Sequence, residues 1–257
     1  MQYFASCKWY IILEKVGKGD SLTPDILNLA ILSIVIVTVV GGLISWIILA
    51  PKIQIPNYGK RRILCIGDSI TFGSGVLRTR WKDTYPAILE NKLEEEFQVL
   101  NYGIPGATLV ADGDKPYSQA FLKAARKTDP EMILLMLGTN DSKPQNWDAE
   151  KYEAALQHWV SELKDYSSNP KVFVMAPPAA FRVNHKPIVY GIQDTVIRDE
   201  IFPAVKRQAG LHATGFIDLY TPTQGRPELF TDGVHPNAHG NKILAQHIFD
   251  VLKEIIE

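Results

Sequence analysis

The chain has 257 residues and a formal net charge of −1, with 46% of residues hydrophobic and 21% charged. That is enough for one domain of ordinary size with a packed core, plus an additional segment. The near-neutral charge gives no basic footprint for RNA or DNA, and no acidic tail marks a disordered module.

Residues 1–25 form an N-terminal segment carrying Cys7, Lys8, Lys15 and Lys18. The next run, Ile26–Ala50, has no charged residue. As a helix it would reach about 37 Å, enough for a bilayer core of roughly 30 Å, so a transmembrane helix is predicted over 26–50. Trp46 fits a membrane interface. A cleaved signal peptide fits less well, because its apolar region is shorter and starts nearer the terminus. Lysines and arginines flank both ends of the run, including Lys52, Lys60, Arg61 and Arg62, and give no clear orientation. The domain that follows is expected outside the cytoplasm. Residues 51–60, with Pro51 and Pro56, read as a linker. The two cysteines, Cys7 and Cys65, lie on either side of the apolar run, so no disulfide is expected. No C-x-x-C or Cys/His cluster points to zinc.

From residue 61 to 257 short apolar runs alternate with helical patterns. Strands are predicted at Ile63–Ile66, Gln98–Asn101, Met132–Leu137, Val172–Met175 and Gly215–Leu219, each rich in Val, Ile, Leu or Phe. Helices are predicted over Tyr85–Phe97 and Tyr117–Lys127. Two more follow from three-and-four spacing, through Tyr152, Ala155, Leu156, Trp159 and Leu163, and through Leu244, Ile248, Val251, Leu252 and Ile255. Such alternation predicts an α/β fold, a doubly wound parallel sheet with helices on both faces. Ligands of such sheets bind beyond the C-terminal strand ends.

Polar clusters stand at those ends. They are Gly67-Asp68-Ser69, the stretch Asn101 to Thr108 (NYGIPGAT), Gly138-Thr139-Asn140-Asp141, and Asp232-Gly233-Val234-His235-Pro236. Together they suit acyl transfer. A serine hydroxyl needs an adjacent base, which His235 supplies, and Asp232 holds the imidazole tautomer. The N–H groups of Ser69 and Gly106 and the Asn140 amide are candidate donors to a tetrahedral oxyanion. Singly, each residue has a plain structural reading: Ser69 or Asp68 as a helix cap, the glycines as turn residues, His235 as an ordinary histidine.

In this order the four clusters resemble the blocks of the SGNH hydrolases, also called GDSL-like lipases or esterases. The resemblance covers roughly Arg61 to the C-terminus. It implies a three-layer flavodoxin-like sheet, Ser69, His235 and Asp232 as catalytic residues, and Ser69, Gly106 and Asn140 as the oxyanion hole. It requires no cofactor and no metal. The segments GTNDSKPQNW and ELFTDGVHPNAHG are similar to members grouped with carbohydrate O-acetylesterases. A serine esterase acting on small acyl esters, acetyl above all and on carbohydrate, is therefore expected. A lysophospholipase or lipase, a sugar acyltransferase and a non-catalytic glycan-binding module are the alternatives. Asp68, Tyr102, Trp147, Phe181 and Arg182 are expected to line the substrate pocket, with the segments Pro177–Arg182, Lys143–Trp147 and Val189–Ile192.

Other motifs carry less. Gly73-Ser74-Gly75 does not complete a dinucleotide fingerprint, and no G-x-S-x-G is present. His235 and His239 are spaced as metal ligands on one helix face, but Pro236 is expected to start the helix between them. Asn140-Asp141-Ser142 matches a glycosylation sequon within the expected site.

Overall fold

The computed structural model describes residues 24–212 and 215–256. Most of the N-terminal segment, with Cys7, Lys8, Lys15 and Lys18, lies outside the described residues. The chain divides into two units, Met1–Ala50 and Pro51–Glu257. In the first, helix α1 runs Pro24–Leu49. Among the described residues no helix is long and apolar enough to cross a membrane, so the transmembrane expectation for 26–50 is not met there.

In the second unit five parallel strands stand in the order β2-β1-β3-β4-β5. They are β1 (Arg61–Gly67), β2 (Phe97–Gly103), β3 (Met132–Met136), β4 (Lys171–Ala176) and β5 (Gly215–Asp218). Because side chains alternate across a strand, one face collects Leu64, Ile66, Leu100, Tyr102, Ile133, Leu135, Val172 and Val174. The other collects Ile63, Cys65, Phe97, Val99, Met132, Leu134, Phe173 and Ile217. Both faces are apolar and each is covered by helices, giving three layers.

The helices used below are α2 (Ser69–Phe72), α3 (Tyr85–Lys92), α4 (Gln119–Arg126), α5 (Ala149–Lys164), α6 (Phe202–Leu211) and α7 (Ala238–Ile256). Tyr152, Leu156, Trp159 and Leu163 of α5 pack on the first face. Tyr85 and Leu89 of α3, with Leu244, Ile248 and Leu252 of α7, pack on the second.

Three expectations need correction. The helix predicted over Tyr85–Phe97 ends at Lys92, because Phe97 is drawn into the sheet opposite Arg61 and opens β2. Helix α6 has no counterpart in the sequence reading. It follows a π-turn over Ile197–Ile201, and Pro203, lacking an N–H, disturbs the helical signal where the two join. Residues 51–60 are more than a spacer. Asn101 N–H donates to Gln54 Oε1 (2.5 Å), Asn57 N–H to Gln98 Oε1 (2.6 Å) and Tyr58 OH to Lys127 O (3.0 Å). The first two bonds are made to residues of β2, an outer strand, and the first occupies a backbone N–H on its open edge.

Strand order changes direction at β1. The chain leaves β1 for β2 on one side and returns to place β3 on the other. In a doubly wound sheet the crevice opens at such a switch point, beyond the strands' C-terminal ends.

Candidate active site

Ser69 is the first residue of α2, directly after β1. Asp68 caps that helix, its Oδ1 accepting the Ile70 N–H at 2.8 Å. The helix is wedged against the sheet. A β-carbon on Gly103, at the end of β2, would lie 2.1 Å from the Phe72 backbone N. Asn101 Nδ2 donates to Thr71 O (2.7 Å), and the Thr71 hydroxyl pairs with buried Tyr85 OH (2.9 Å). The sequence thus fixes Ser69 through backbone contact that only glycine permits.

His235 faces it from the loop before α7. Its Nε2 is 2.9 Å from Ser69 Oγ, and its Nδ1 is 2.7 Å from Asp232 Oδ2. The other carboxylate oxygen, Oδ1, accepts the N–H groups of His235 (2.8 Å) and Val234 (3.0 Å). Burial alone would raise the Asp232 pKa. The hydrogen bonds from the His235 ring and from these two N–H groups outweigh it and hold the carboxyl down to about 2. An ionised Asp232 therefore fixes the proton on Nδ1 and leaves Nε2 to accept from the serine.

The donors converge from two other loops. Pro105 and Gly106 occupy the centre of a turn closed by Ala107 N–H to Ile104 O (3.1 Å), with Gly106 at φ +79°. Among the described residues neither the Gly106 nor the Ser69 N–H is engaged by another backbone group. Asn140, past the end of β3, is buried, and its Nδ2 donates to Ala107 O (3.1 Å) and more weakly to Asp68 Oδ2 (3.4 Å). Asp141 beside it holds the same loops together, accepting the Leu109 and Val110 N–H groups at 2.9 and 3.0 Å. Burial pushes the Asp68 and Asp141 carboxyls up to about 6.

Ser69, Gly106, Asn140, Asp232 and His235 thus line one cleft of about 460 Å³. Its other walls include Leu77, Ile192, Val234, Lys115, Lys143 and Tyr190. Several expected pocket residues lie elsewhere. Asp68 is buried behind the serine. Tyr102 sits within β2, packed in the core with its OH donating to Gln54 O (3.1 Å). Trp147 packs on Tyr152 and donates to Glu200. Phe181 packs on Phe230, and Arg182 is exposed outside the cleft. Phe181 nevertheless bears on the site, since its N–H donates to Gly233 O (2.8 Å), bracing the loop that carries Asp232 and His235.

Within the predicted segment Val189–Ile192, Tyr190 and Ile192 reach the cleft. The Tyr190 ring stands edge-on to His235, centroids 5.5 Å apart, on a residue with φ +61°. Lys115 and Leu77 had no signal in the sequence beyond nearness to a motif. Gly75 of the incomplete fingerprint has a packing role, since a β-carbon there would lie 2.2 Å from Pro236 O. Pro236 does not start α7. Asn237 caps it instead, accepting the His239 and Gly240 N–H groups. His239 is thus a first-turn residue, and among the described residues no group of three His, Cys, Asp or Glu is placed to hold a metal.

Residues 65–243 match the model of the GDSL-like lipase/acylhydrolase family, and the chain belongs to that family. It is similar to an acetylxylan esterase of Xylanibacter ruminicola, 31% identical over 222 residues that cover 79% of this chain and 45% of that protein. The chain thus spans less than half the length of that relative. Among solved structures it is similar to a carbohydrate acetylesterase from Sinorhizobium meliloti (TM-score 0.64, 21% identity, 76% of this chain and 100% of that one). It is also similar to the inhibitor-bound aryl esterase of M. smegmatis (TM-score 0.63, 21% identity, 76% and 99%). At these identities the structural likeness establishes the fold, that of an SGNH-type hydrolase.

Proposed function

We propose that the chain is a serine esterase that hydrolyses small acyl esters, acetyl esters of carbohydrate in particular. The observation that carries this reading is the relay from Asp232 through His235 to Ser69, at 2.7 and 2.9 Å, opening on a cleft beside Gly106 and Asn140. In the first step His235 Nε2 takes the hydroxyl proton while Ser69 Oγ bonds to the ester carbonyl carbon. The resulting oxyanion is stabilised by the Ser69 and Gly106 N–H groups and the Asn140 amide, and removing one such donor costs roughly 10²–10³ in kcat. His235 then gives its proton to the leaving alcohol. Water, deprotonated by the same ring, releases the acid from the acyl-serine.

The substrate class is supported by the other residues lining the cleft. Exposed Tyr190 offers an aromatic face beside His235 for a sugar ring, and the exposed Lys115 ammonium in the cleft wall does not suit a long acyl chain. The acetylesterases among the similar proteins favour the same class. The test is hydrolysis of p-nitrophenyl esters from acetate to palmitate by the protein and its Ser69→Ala variant. The expected result is preference for acetate and a loss of about 10⁶ in the variant. Equal rates for a folded parent and its variant would overturn the reading. Preference for palmitate would move the substrate to lipid.

We further propose that α1 attaches the protein to a membrane, with the catalytic domain outside the cytoplasm. Ile31, Leu32, Ile34, Val37 and Val39 are each more than half exposed, which favours an apolar surrounding. Retention of the full chain in alkali-washed membranes is expected, with protease access to the domain from outside the cell. Release of the chain as a soluble protein overturns the attachment.

A further inference from the structure

The cleft contains two ammonium groups that ester hydrolysis itself does not use. Lys115 and Lys143 both line it. Lys143 is buried, with its Nζ 3.1 Å from Asp114 Oδ2. The Asp114 carboxylate also accepts from Gln145 Nε2 (3.2 Å) and Asn146 Nδ2 (2.9 Å), and its N–H donates to Asn146 Oδ1 (2.9 Å). Asn146 Nδ2 in turn reaches Asn140 O at 2.9 Å. The segment around Asp114 is therefore pinned to the loop that carries Asn140. Lys115, the next residue, is held over Gly106. Its Cδ and Nζ lie 3.3 and 4.0 Å from where a β-carbon on Gly106 would sit. The Lys115 ammonium donates to Pro105 O at 2.6 Å, and among the described residues it forms no ion pair. Asp232 is the acid that lines the cleft, and its charge is engaged by His235.

We propose that Lys115 selects substrates with a negative charge on the alcohol part, so that the protein acts on acyl esters of acidic, carboxylate-bearing saccharides. This rests on the small-acyl esterase reading, which leaves the alcohol part as the place for that charge. Lys143, neutralised by Asp114, acts by holding the Lys115 segment in place. A lysine with an unused charge beside the reacting carbonyl attracts an anion and repels a cation, and a charge-assisted hydrogen bond to a carboxylate gives about tenfold or more in affinity.

The experiment compares kcat/KM of the full chain on the methyl glycosides of O-acetyl glucuronic acid and O-acetyl glucose, with p-nitrophenyl acetate as reference. The expected acidic-to-neutral ratio is about 10, and Lys115→Gln brings it near 1 through KM. Lys123→Gln, on the exposed side of α4, keeps the parent ratio. A parent ratio of 1 or below overturns the proposal. So does an equal loss on both glycosides in Lys115→Gln, which would assign the charge to the oxyanion. A second measurement titrates the Ser69→Ala protein, with and without Lys115→Gln, with methyl glucuronoside and methyl glucoside, followed by NMR. Tighter binding of the acid that Lys115→Gln abolishes is expected, and equal binding of the two sugars overturns the selection. Were p-nitrophenyl acetate itself left intact, the esterase reading would fail, while this titration would still decide the anion site.

Discussion

At the residue scale, the site's chemistry depends on which atoms are tied up and which are free. Both Asp232 oxygens are committed, one to the ring and one to two backbone N–H groups. Replacing Asp232 by Asn places an N–H₂ group against Nδ1 and selects the wrong tautomer. The expected fall in kcat is about 10⁴, below the ~10⁶ of Ser69→Ala or His235→Ala. Equal losses for all three would show that Asp232 does more than orient the ring. Tyr190 illustrates a different constraint. Its φ of +61° is one that a residue with a β-carbon adopts at a cost of roughly 1–2 kcal/mol. A residue in that state beside the base is a reasonable substrate contact. Tyr190→Gly is expected to keep or raise the melting temperature while raising KM for acetylated sugars, and an unchanged KM would remove Tyr190 from the sugar site. The catalytic set could be read from sequence because each member lies in a short motif with its own backbone requirement. Tyr190 was reached only as part of the segment Val189–Ile192, and Lys115 and Leu77 not at all, because their places are set by loops that fold onto the cleft from distant parts of the chain. Tyr102 was misplaced for a simpler reason. Strand β2 continues to Gly103, so Tyr102 lies inside the alternation and points with Leu100 into the core.

At the element scale, the nucleophile helix is positioned by close approach of backbones. The Gly103 position leaves no room for a methyl group, and the atoms in the way, Phe72 N and Cα and Thr71 C, are all main chain. No side chain can rotate to relieve them. Gly103→Ala must therefore displace α2, and with it Ser69. The expected cost is about 1–3 kcal/mol, or roughly 3–10 °C in melting temperature, together with a drop in kcat. Gly210→Ala is the contrasting case. A β-carbon there meets nothing within 4 Å, and the residue lies in α6. That change is expected to stabilise by about 0.4–1 kcal/mol with activity retained. Thermal denaturation of both variants, with their rates on p-nitrophenyl acetate, checks the pair, and a Gly103→Ala protein as stable and active as the parent would refute the wedge. The strands were legible because buried parallel strands are short apolar runs. Their ends moved by a residue or two where a neighbour such as Phe97 was captured by the sheet. Helix α6 was not legible, since the π-turn and Pro203 break the period that reveals a helix.

At the scale of the whole molecule, the switch point brings two buried carboxyls under the cleft, and they set how stability varies with pH. Burial pushes Asp68 and Asp141 up to about 6, against ~3.9 for an aspartate in an unfolded chain. Between those values the folded protein keeps protons that the unfolded chain has lost. Stability therefore falls as pH rises from ~4 through about 6 and stays lower above. Asp232 has the opposite sign. Its folded pKa of about 2 lies below the unfolded value, so its contribution is full above ~3.9 and is lost as pH falls through about 2. The two trends meet in a maximum just below pH 4. Melting temperature measured from pH 3 to 8 should peak near pH 4 and be several degrees lower at pH 7.5. A melting temperature that is flat or still rising between pH 5 and 7.5 would mean that Asp68 and Asp141 are ionised at little cost. The hydrogen bonds from Ile70, Leu109 and Val110 would then outweigh their burial.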